Sequence, residues 1–222
     1  MRNIKAIFTK QILSFFKKPA IISSSAAFLA FPIIFSLLIT DSDPRELVNI
    51  FAIMFIGVSM IGTASSFLME DSSTMNLRFM AMAGMRPFQY LIGTSSALLL
   101  IAFGALVIFS AVGGYFNEEM IIFLTLTMLG AAVSVLLGIT LGLSRTTWLS
   151  QPLAMVLGFG PVISDTNERL ANIFQFTYTQ QVSFAIRDLS GDMTRPVQIV
   201  LANMAVILLV FILMNRKHGL DR

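Results

Sequence analysis

The sequence predicts an all-α polytopic membrane protein with six transmembrane helices, and three observations support this fold class. Of its 222 residues, 56% are hydrophobic and only 12% are charged, whereas a soluble domain has about 25% charged residues. Long uncharged runs recur along the chain, and they are long enough to cross a hydrocarbon core about 30 Å thick as helices. The charged residues are concentrated in the short intervals between these runs.

Six segments are predicted to span the membrane: 20–39, 47–69, 88–112, 119–143, 147–163 and 197–214. With a cytoplasmic N-terminus, the inner segments hold 11 of the 15 basic residues but only 3 of the 12 acidic ones. The inner segments then carry a net charge of +8 and the outer segments −5. Because this asymmetry satisfies the positive-inside rule, both termini are predicted to be cytoplasmic. The basic pI of about 9.5 is attributed to this orientation and not to nucleic-acid binding.

Residues 1–18 are predicted to form an amphipathic elbow helix. Apolar residues recur at helical spacing on one side, and lysines fill much of the other: Ile4, Phe8, Ile12 and Phe15 against Lys5, Lys10, Lys17 and Lys18. Such a helix lies along the inner leaflet with its lysines toward anionic headgroups, and Pro19 ends it. The pattern is typical of a transporter elbow helix, and a plain basic anchor is the alternative interpretation.

The predicted spans carry no catalytic chemistry. No Asp, Glu, Lys, Arg or His lies well inside any of them, the chain has no cysteine, and its single histidine is His218. Ion-coupled carriers usually place such groups near the midplane, although broken helices with backbone ion sites remain a third interpretation. We therefore expect no enzyme activity, no metal site and no cofactor bound by this chain.

Two sets of residues within the spans are candidates for packing and for a cargo path. Gly130, Ser134, Gly138 and Gly142 form a small-residue stripe that allows close helix packing, either within the chain or at a subunit interface. The chain also holds 20 Phe and 14 Met residues, and the candidates for a path taken by apolar cargo are Phe28, Phe31, Phe35, Met54 and Phe55.

A half-polar segment, "MEDSSTMNLRFMAMAGMRPFQYLIG" at 69–93, separates the second and third spans. Ser72 or Ser73 is predicted to cap a short cytoplasmic helix, with Asp71 complementing its dipole. Leu77, Met80, Ala81 and Gly84 then form a narrow apolar strip, and Gly84 and Pro87 end the helix. This helix either docks on a partner or lies in the headgroup layer, and periodicity does not distinguish the two.

The acidic pair that opens this segment suggests a contact with the elbow helix. Glu70 and Asp71 leave the membrane near the expected level of Lys10, Lys17 and Lys18. We expect a latch of ion pairs between them that passes motion to the first span. The alternative is simple helix capping together with lipid contacts.

Two motifs in these positions resemble those of the ABC transporter type-2 permease family, the export-type transmembrane subunits. "MED" resembles the acidic signature that closes the second span, and "LRFMAMAGMRPFQYLIG" resembles the tract "L-x-x-L-x-x-x-P-x-x-x-x-x-Y-x-x-G", with Leu77, Tyr90 and Gly93 as anchors. Gly84 stands where the family commonly has proline. "NERLANIFQFTYTQQVSFAIRDL" resembles the family's external hairpin before the last span, expected here at 164–195.

The resemblance implies a function that the residues alone do not give. Residues 70–87 would be the coupling helix, whose contacts with a separate cytoplasmic ATPase would include Glu70, Asp71, Leu77, Met80, Gly84 and Arg86. No G-x-x-x-x-G-K-[ST] occurs, so ATP and Mg would be bound by two copies of that partner. A second permease subunit, identical or paralogous, would complete an exporter of amphipathic or hydrophobic cargo, such as a peptide toxin, bacteriocin, antibiotic or lipid-like compound, in a bacterial plasma membrane. A non-transporting membrane scaffold is the alternative.

Overall fold

The fold is described from a computed structural model that covers residues 2–38, 43–74, 82, 84, 86–143, 147–189 and 191–218. Throughout these ranges every regular element is helical. In chain order the elements are α1 (Arg2–Lys17), α2 (Pro19–Leu38), α3 (Pro44–Met54), a π-helical segment (Phe55–Met60), α4 (Ile61–Ser73), α5 (Pro87–Val112), α6 (Asn117–Leu143), α7 (Thr147–Ser164), α8 (Glu168–Phe174), α9 (Tyr178–Arg187) and α10 (Thr194–His218).

Several of these helices are long and apolar enough to cross a membrane. Pro44–Ser73, Phe88–Val112, Asn117–Leu143 and Thr194–Met214 each qualify on their own. A further candidate is the pair Asn3–Lys17 and Ile21–Phe35, which qualifies only if the two helices, bent by 82°, count as one span. The described residues then contain up to five candidate spans. The apolar helix Trp148–Ser164 is shorter than a full span. The chain therefore has the architecture of a helical membrane protein, as its composition predicts, and the six-span topology stays a prediction.

Proline and polar caps set the helix ends. Pro44 and Pro87 occupy the first turns of α3 and α5, where the missing N–H has no intrahelical acceptor to lose. The Asp43 side chain accepts a hydrogen bond from the Arg45 N–H at 2.9 Å, and Gln89 Oε1 accepts from the Arg86 N–H at 3.2 Å. These contacts stabilise the beginnings of α3 and α5, which lie within a few residues of the predicted span ends.

The π-helical segment interrupts the long helix formed by α3 and α4 at its middle, and it packs closely on α7. A Cβ on Gly57 would lie 2.5 Å from the Gly158 Cα, and a Cβ on Gly158 would lie 2.5 Å from Val58 Cγ2. The two glycines therefore allow the backbones of the two helices to touch. π-Helical turns within α-helices occur frequently at functional sites.

The small-residue stripe of α6 packs within the chain. A Cβ on Gly138 would lie 2.6 Å from the Ile61 carbonyl oxygen of α4, and a Cβ on Gly142 would lie 2.9 Å from Leu68 Cβ. The Ser134 hydroxyl shares a hydrogen bond of 2.7 Å with the Tyr178 hydroxyl of α9. Gly130 faces α9 as well, since its Cβ would lie 3.1 Å from Val182. Each of the four positions thus lies against another helix of the same chain.

The hairpin expected at 164–195 contains α8 and α9, and α9 lies inside the helix bundle. It packs against α3, α6, α7 and α10. Most of its residues are buried, including the polar Thr179, Gln180, Gln181 and Ser183. The Ser164 hydroxyl donates to Gln180 Oε1 at 2.8 Å. Because its backbone bonds are satisfied within the helix, α9 can lie among apolar helices.

The prediction that Ser72 or Ser73 begins a helix is wrong. α4 continues through Ser73, whose hydroxyl donates to the Glu70 carbonyl at 3.0 Å, and the Thr74 hydroxyl donates to the same carbonyl at 2.6 Å. The hydroxyls thus bond back to the preceding turn and cap the end of a helix. Asp71 lies in the last turn of α4, at the negative end of the helix dipole and not the positive end.

Most of the predicted coupling helix, including Leu77 and Met80, lies outside the described residues. Of this segment the structure describes Met82, which is helical and exposed, and Gly84, which has φ +77°. That value is left-handed, which suits the turn expected at Gly84. Arg86 then precedes α5.

We predict that Gly138→Ala lowers the melting temperature of the purified protein in detergent. The added methyl must displace a backbone carbonyl and a neighbouring Cβ, and overpacking of this kind costs about 1–3 kcal/mol. Gly104→Ala on α5 is the matched control, because a Cβ there meets no atom within 4 Å. Equal melting temperatures for the two variants would contradict the close packing of α4 on α6.

Candidate functional site

A buried carboxylate joins three helices at one end of the bundle. Asp71, near the end of α4, is 4% exposed. Its Oδ1 forms an ion pair with Lys10 Nζ of α1. Its Oδ2 accepts hydrogen bonds from Gln11 Nε2 at 3.0 Å and from the Tyr90 hydroxyl of α5 at 2.8 Å. We call Lys10, Gln11, Asp71 and Tyr90 the Asp71 cluster.

The Asp71 cluster compensates a negative charge that is both buried and unfavourably placed at a helix end. A carboxylate at the C-terminal end of a helix meets the negative end of the helix dipole, and a buried charge without partners is costly. One lysine and two uncharged donors offset both effects, and they come from helices other than α4. The end of α4 is therefore stabilised by contact with α1 and α5.

α1 packs directly on the first part of α5. Ile7, Gln11 and Phe15, at four-residue intervals, are its buried face. A Cβ on Gly93 would lie 2.8 Å from Ile7 Cβ and 3.1 Å from the Ile4 carbonyl oxygen, so a larger residue would push α1 away. The elbow helix thus makes a tertiary contact through a face next to the one that the sequence pattern singled out.

A second ion pair attaches the beginning of α2 to α4. Lys18, in the bend between α1 and α2, pairs with Glu70. Its ammonium also lies 4.4 Å from the centre of the Phe67 ring, within the range of a cation–π contact. Partial burial lowers the pKa of Lys18, and the nearby charge of Asp71 acts in the opposite direction.

The ion pairs expected from the sequence are present, Lys10 with Asp71 and Lys18 with Glu70, and their role in passing on motion stays a prediction. The third lysine, Lys17, is exposed. Sequence reasoning missed Gln11 as a partner of the carboxylate, and it assigned Tyr90 only as a motif anchor. A signal for Gln11 exists, since it is an uncharged polar residue between Ile7 and Phe15 at four-residue spacing.

A cavity lined partly by polar side chains lies in the middle of the bundle. It has a volume of about 240 Å³ and lies between α2, α4 and α7. Ser59, Thr63 and Ser66 share one face of the π-helical segment and α4, and Gln151 of α7 also lines it. Polar side chains are costly within a membrane unless they serve a function or pair with each other. We call this space the polar cavity.

The candidate cargo residues do not line one continuous space. Phe28 lines the polar cavity, whereas Phe55 is fully buried and borders a separate apolar cavity. Phe31 and Phe35 stack on Phe51 of α3, with ring centres 5.7 and 6.0 Å apart. Met54 is partly buried. Of the five, only Phe28 is brought to the polar cavity.

The opposite end of the bundle holds a second group of charged residues. Arg45 Nη2 lies 2.9 Å from Glu119 Oε2, and the Arg45 guanidinium lies 5.0 Å from the centre of the Tyr115 ring. The Tyr115 hydroxyl donates to Asn49 Oδ1 at 2.8 Å, and burial raises the pKa of this phenol. A cavity of about 460 Å³, lined by both acidic and basic residues, adjoins this group.

In the part of the chain that the structure describes, no group of three or more His, Asp and Glu side chains is placed to hold a metal ion. Comparison of the chain with known proteins finds no matching family model and no matching curated sequence.

We predict that Asp71→Ala destabilises the protein far more than Asp165→Ala. Asp165 pairs with Arg187 at the other end, with both side chains 36% exposed, whereas the Asp71 side chain is 6% exposed. Loss of hydrogen bonds to a buried charge costs about 1.5–3 kcal/mol, and an exposed ion pair contributes about 0–1 kcal/mol. Melting temperatures in detergent measure both variants, and an equal decrease would contradict the structural importance of the Asp71 cluster.

Proposed function

We propose that the chain is the transmembrane permease subunit of an ATP-driven ABC exporter that moves amphipathic or hydrophobic cargo by alternating access. The observation that carries this proposal is the Asp71 cluster. It fixes α1 and α5 to the end of α4. The 75–86 segment between α4 and α5 is most of the coupling helix that the resemblance locates at 70–87. A force applied to that segment is thereby shared among three helices.

The contacts suggest how such a force travels. The Tyr90–Asp71 hydrogen bond moves α5 and the end of α4 together, and Lys10 and Gln11 move α1 with them. The Lys18–Glu70 pair extends the connection to the beginning of α2. Since α2 forms one wall of the polar cavity, displacement of the segment changes the shape of that cavity.

The lining of the polar cavity is an argument for an amphipathic cargo. Hydroxyl and amide groups from two helices face it, and apolar residues such as Phe28 complete its lining. A ligand with both hydrogen-bonding and apolar parts satisfies both kinds of wall. Directional movement requires that the cargo bind the inward-open and outward-open states with different affinity.

The proposal assigns the energy source to other subunits. Two ATPase copies would bind ATP and Mg on the cytoplasmic side, and a second permease, identical or paralogous, would complete the path. Both termini and the 75–86 segment would face the cytoplasm of a bacterial cell. The net charge of +8 on the inner segments supports this orientation.

Affinity purification from the native membrane in mild detergent, followed by mass spectrometry, tests this proposal. We expect an ABC ATPase with the native chain and its loss with the double variant Leu77→Asp, Met80→Asp, because two charges on the apolar strip disrupt docking. The double variant Ile173→Asp, Phe176→Asp is the matched control, since both residues are exposed apolar side chains elsewhere in the chain. It should retain the ATPase.

Recovery of an intact native chain without any ATPase would contradict the exporter proposal, because the transporter would lack its energy source. A membrane scaffold that binds a regulator through the same segment would then be the better interpretation. Loss of the ATPase from both double variants would show that the 75–86 segment is not its specific docking site.

A charge exchange tests whether the ion pairs pass on motion. The structure pairs Glu70 with Lys18, so these two charges are the ones to exchange. We expect Glu70→Lys and Lys18→Glu each to lower the ATPase activity of the purified complex, and the double variant to recover it. Glu70 is preferred to Asp71 because its side chain is 47% exposed and tolerates a reversed charge.

The matched control is the exchange Arg45→Glu with Glu119→Arg, an exposed pair at the opposite end of the bundle. Its single variants should leave the ATPase activity unchanged. If the Glu70 and Lys18 double variant is as inactive as the single variants although the complex assembles, the latch does not operate through this pair.

A further inference from the structure

An apolar cavity opens on the side of the helix bundle between α1, α2 and α5. Its volume is about 400 Å³, within the range of ~300–1,000 Å³ that is typical of ligand sites. Its floor is buried and includes Phe15, Phe55 and Ala105, whereas Phe16 and Leu100 at its rim are exposed. We call this space the lateral cavity, and it is separate from the polar cavity.

The lining of the lateral cavity suits hydrocarbon and not water. Ser25 contributes the one hydroxyl, and that hydroxyl already shares a hydrogen bond of 3.1 Å with Ser59. Apolar cavities of this kind stay dry or bind apolar ligands. Its rim residue Leu100 belongs to Phe88–Val112, a helix that is long and apolar enough to cross a membrane. The cavity therefore opens toward lipid chains.

A glycine keeps part of the lateral cavity open. Gly104 of α5 lines it, and a Cβ at this position would meet no atom within 4 Å. Small-residue positions in membrane helices are usually explained by close helix packing. Gly104 has no such contact, unlike Gly138, so the space beside it is available to a ligand.

A positively charged residue follows the rim of the lateral cavity in the chain. Lys17 directly follows the rim residue Phe16, and it is exposed. Lys10 and Lys18 form ion pairs with Asp71 and Glu70, whereas no ion pair of Lys17 occurs among the described residues, so Lys17 carries a net charge near the end of α1. Lysines at a membrane surface attract anionic headgroups.

We propose that the lateral cavity binds one acyl chain of an anionic phospholipid, whose headgroup is held by Lys17. The acyl chain enters between α1, α2 and α5, where it packs beside the bend between α1 and α2. Residues of one protein chain form this site, and the proposal does not depend on whether the protein binds an ATPase.

Photo-crosslinking of the purified protein in nanodiscs tests the site. The probe is a phosphatidylglycerol with a diazirine in one acyl chain, and peptide mass spectrometry locates the labels. We expect the α2 and α5 residues that line the lateral cavity to be labelled severalfold more than the lipid-facing residues of α10. Gly104→Phe fills the space and should reduce this labelling severalfold. Val206→Phe is the matched control, since Val206 is 60% exposed on α10, and it should leave the labelling unchanged.

A second arm tests the headgroup. Lys17→Gln should lower the labelling by the phosphatidylglycerol probe toward that of a phosphatidylcholine probe with the same acyl chains. Equal labelling of the native protein by the two probes would refute the anionic headgroup. Uniform labelling of all lipid-facing helices, or undiminished labelling in a folded Gly104→Phe protein, would overturn the site itself.

Melting temperature and elution in size-exclusion chromatography show whether each variant is folded. If Gly104→Phe is not folded, Gly104→Leu fills less of the same space and replaces it in the comparison. The labelling should decrease when unlabelled phosphatidylglycerol is added. If a co-purified cargo displaces the label and added phosphatidylglycerol does not, the lateral cavity binds cargo and the proposal is contradicted.

Discussion

The arrangement of this end of the molecule depends on one constraint, the burial of the Asp71 carboxylate at the C-terminal end of a long apolar helix. A negative charge there opposes the helix dipole and lacks solvent, so its compensation must come from other helices. Lys10 and Gln11 bring α1, and Tyr90 brings α5. The amphipathic N-terminal helix is therefore part of the packed structure, and the chain bends by 82° between it and α2.

α2 is connected to this end of α4 through a neighbouring contact, the Lys18–Glu70 ion pair. One of its faces borders the polar cavity and the other borders the lateral cavity, with Phe28 on the first and Leu29 on the second. The hydrogen bond between Ser25 and Ser59 fastens α2 to the π-helical segment between the two cavities. A shift at the Lys18 end of α2 thus alters both spaces, which connects the Asp71 cluster to the interior of the bundle.

The interior tolerates polar residues where they are paired. α9 brings several polar side chains among apolar helices, and its contacts include Ser134 with Tyr178 and Ser164 with Gln180. The hydrogen bond between Ser134 and Tyr178 also explains why the stripe on α6 holds a serine between glycines. The stripe is suited to two neighbours, since Gly138 and Gly142 face α4 while the other two positions face α9.

The helical membrane architecture and most helix ends can be predicted from the sequence, because apolar length, proline and charge segregation are local properties of the chain. The sequence also indicates that lysines of the predicted elbow helix at 1–18 meet the acidic pair. Three features become visible in the folded molecule: Lys10 pairs with Asp71 and Lys18 with Glu70, Gln11 and Tyr90 complete the cluster, and α4 continues through Ser73. The ion pairs and the cluster depend on contacts between residues about 20 to 60 positions apart, and a local pattern carries no information about such distances. The end of α4 depends instead on hydroxyls that bond back to the Glu70 carbonyl.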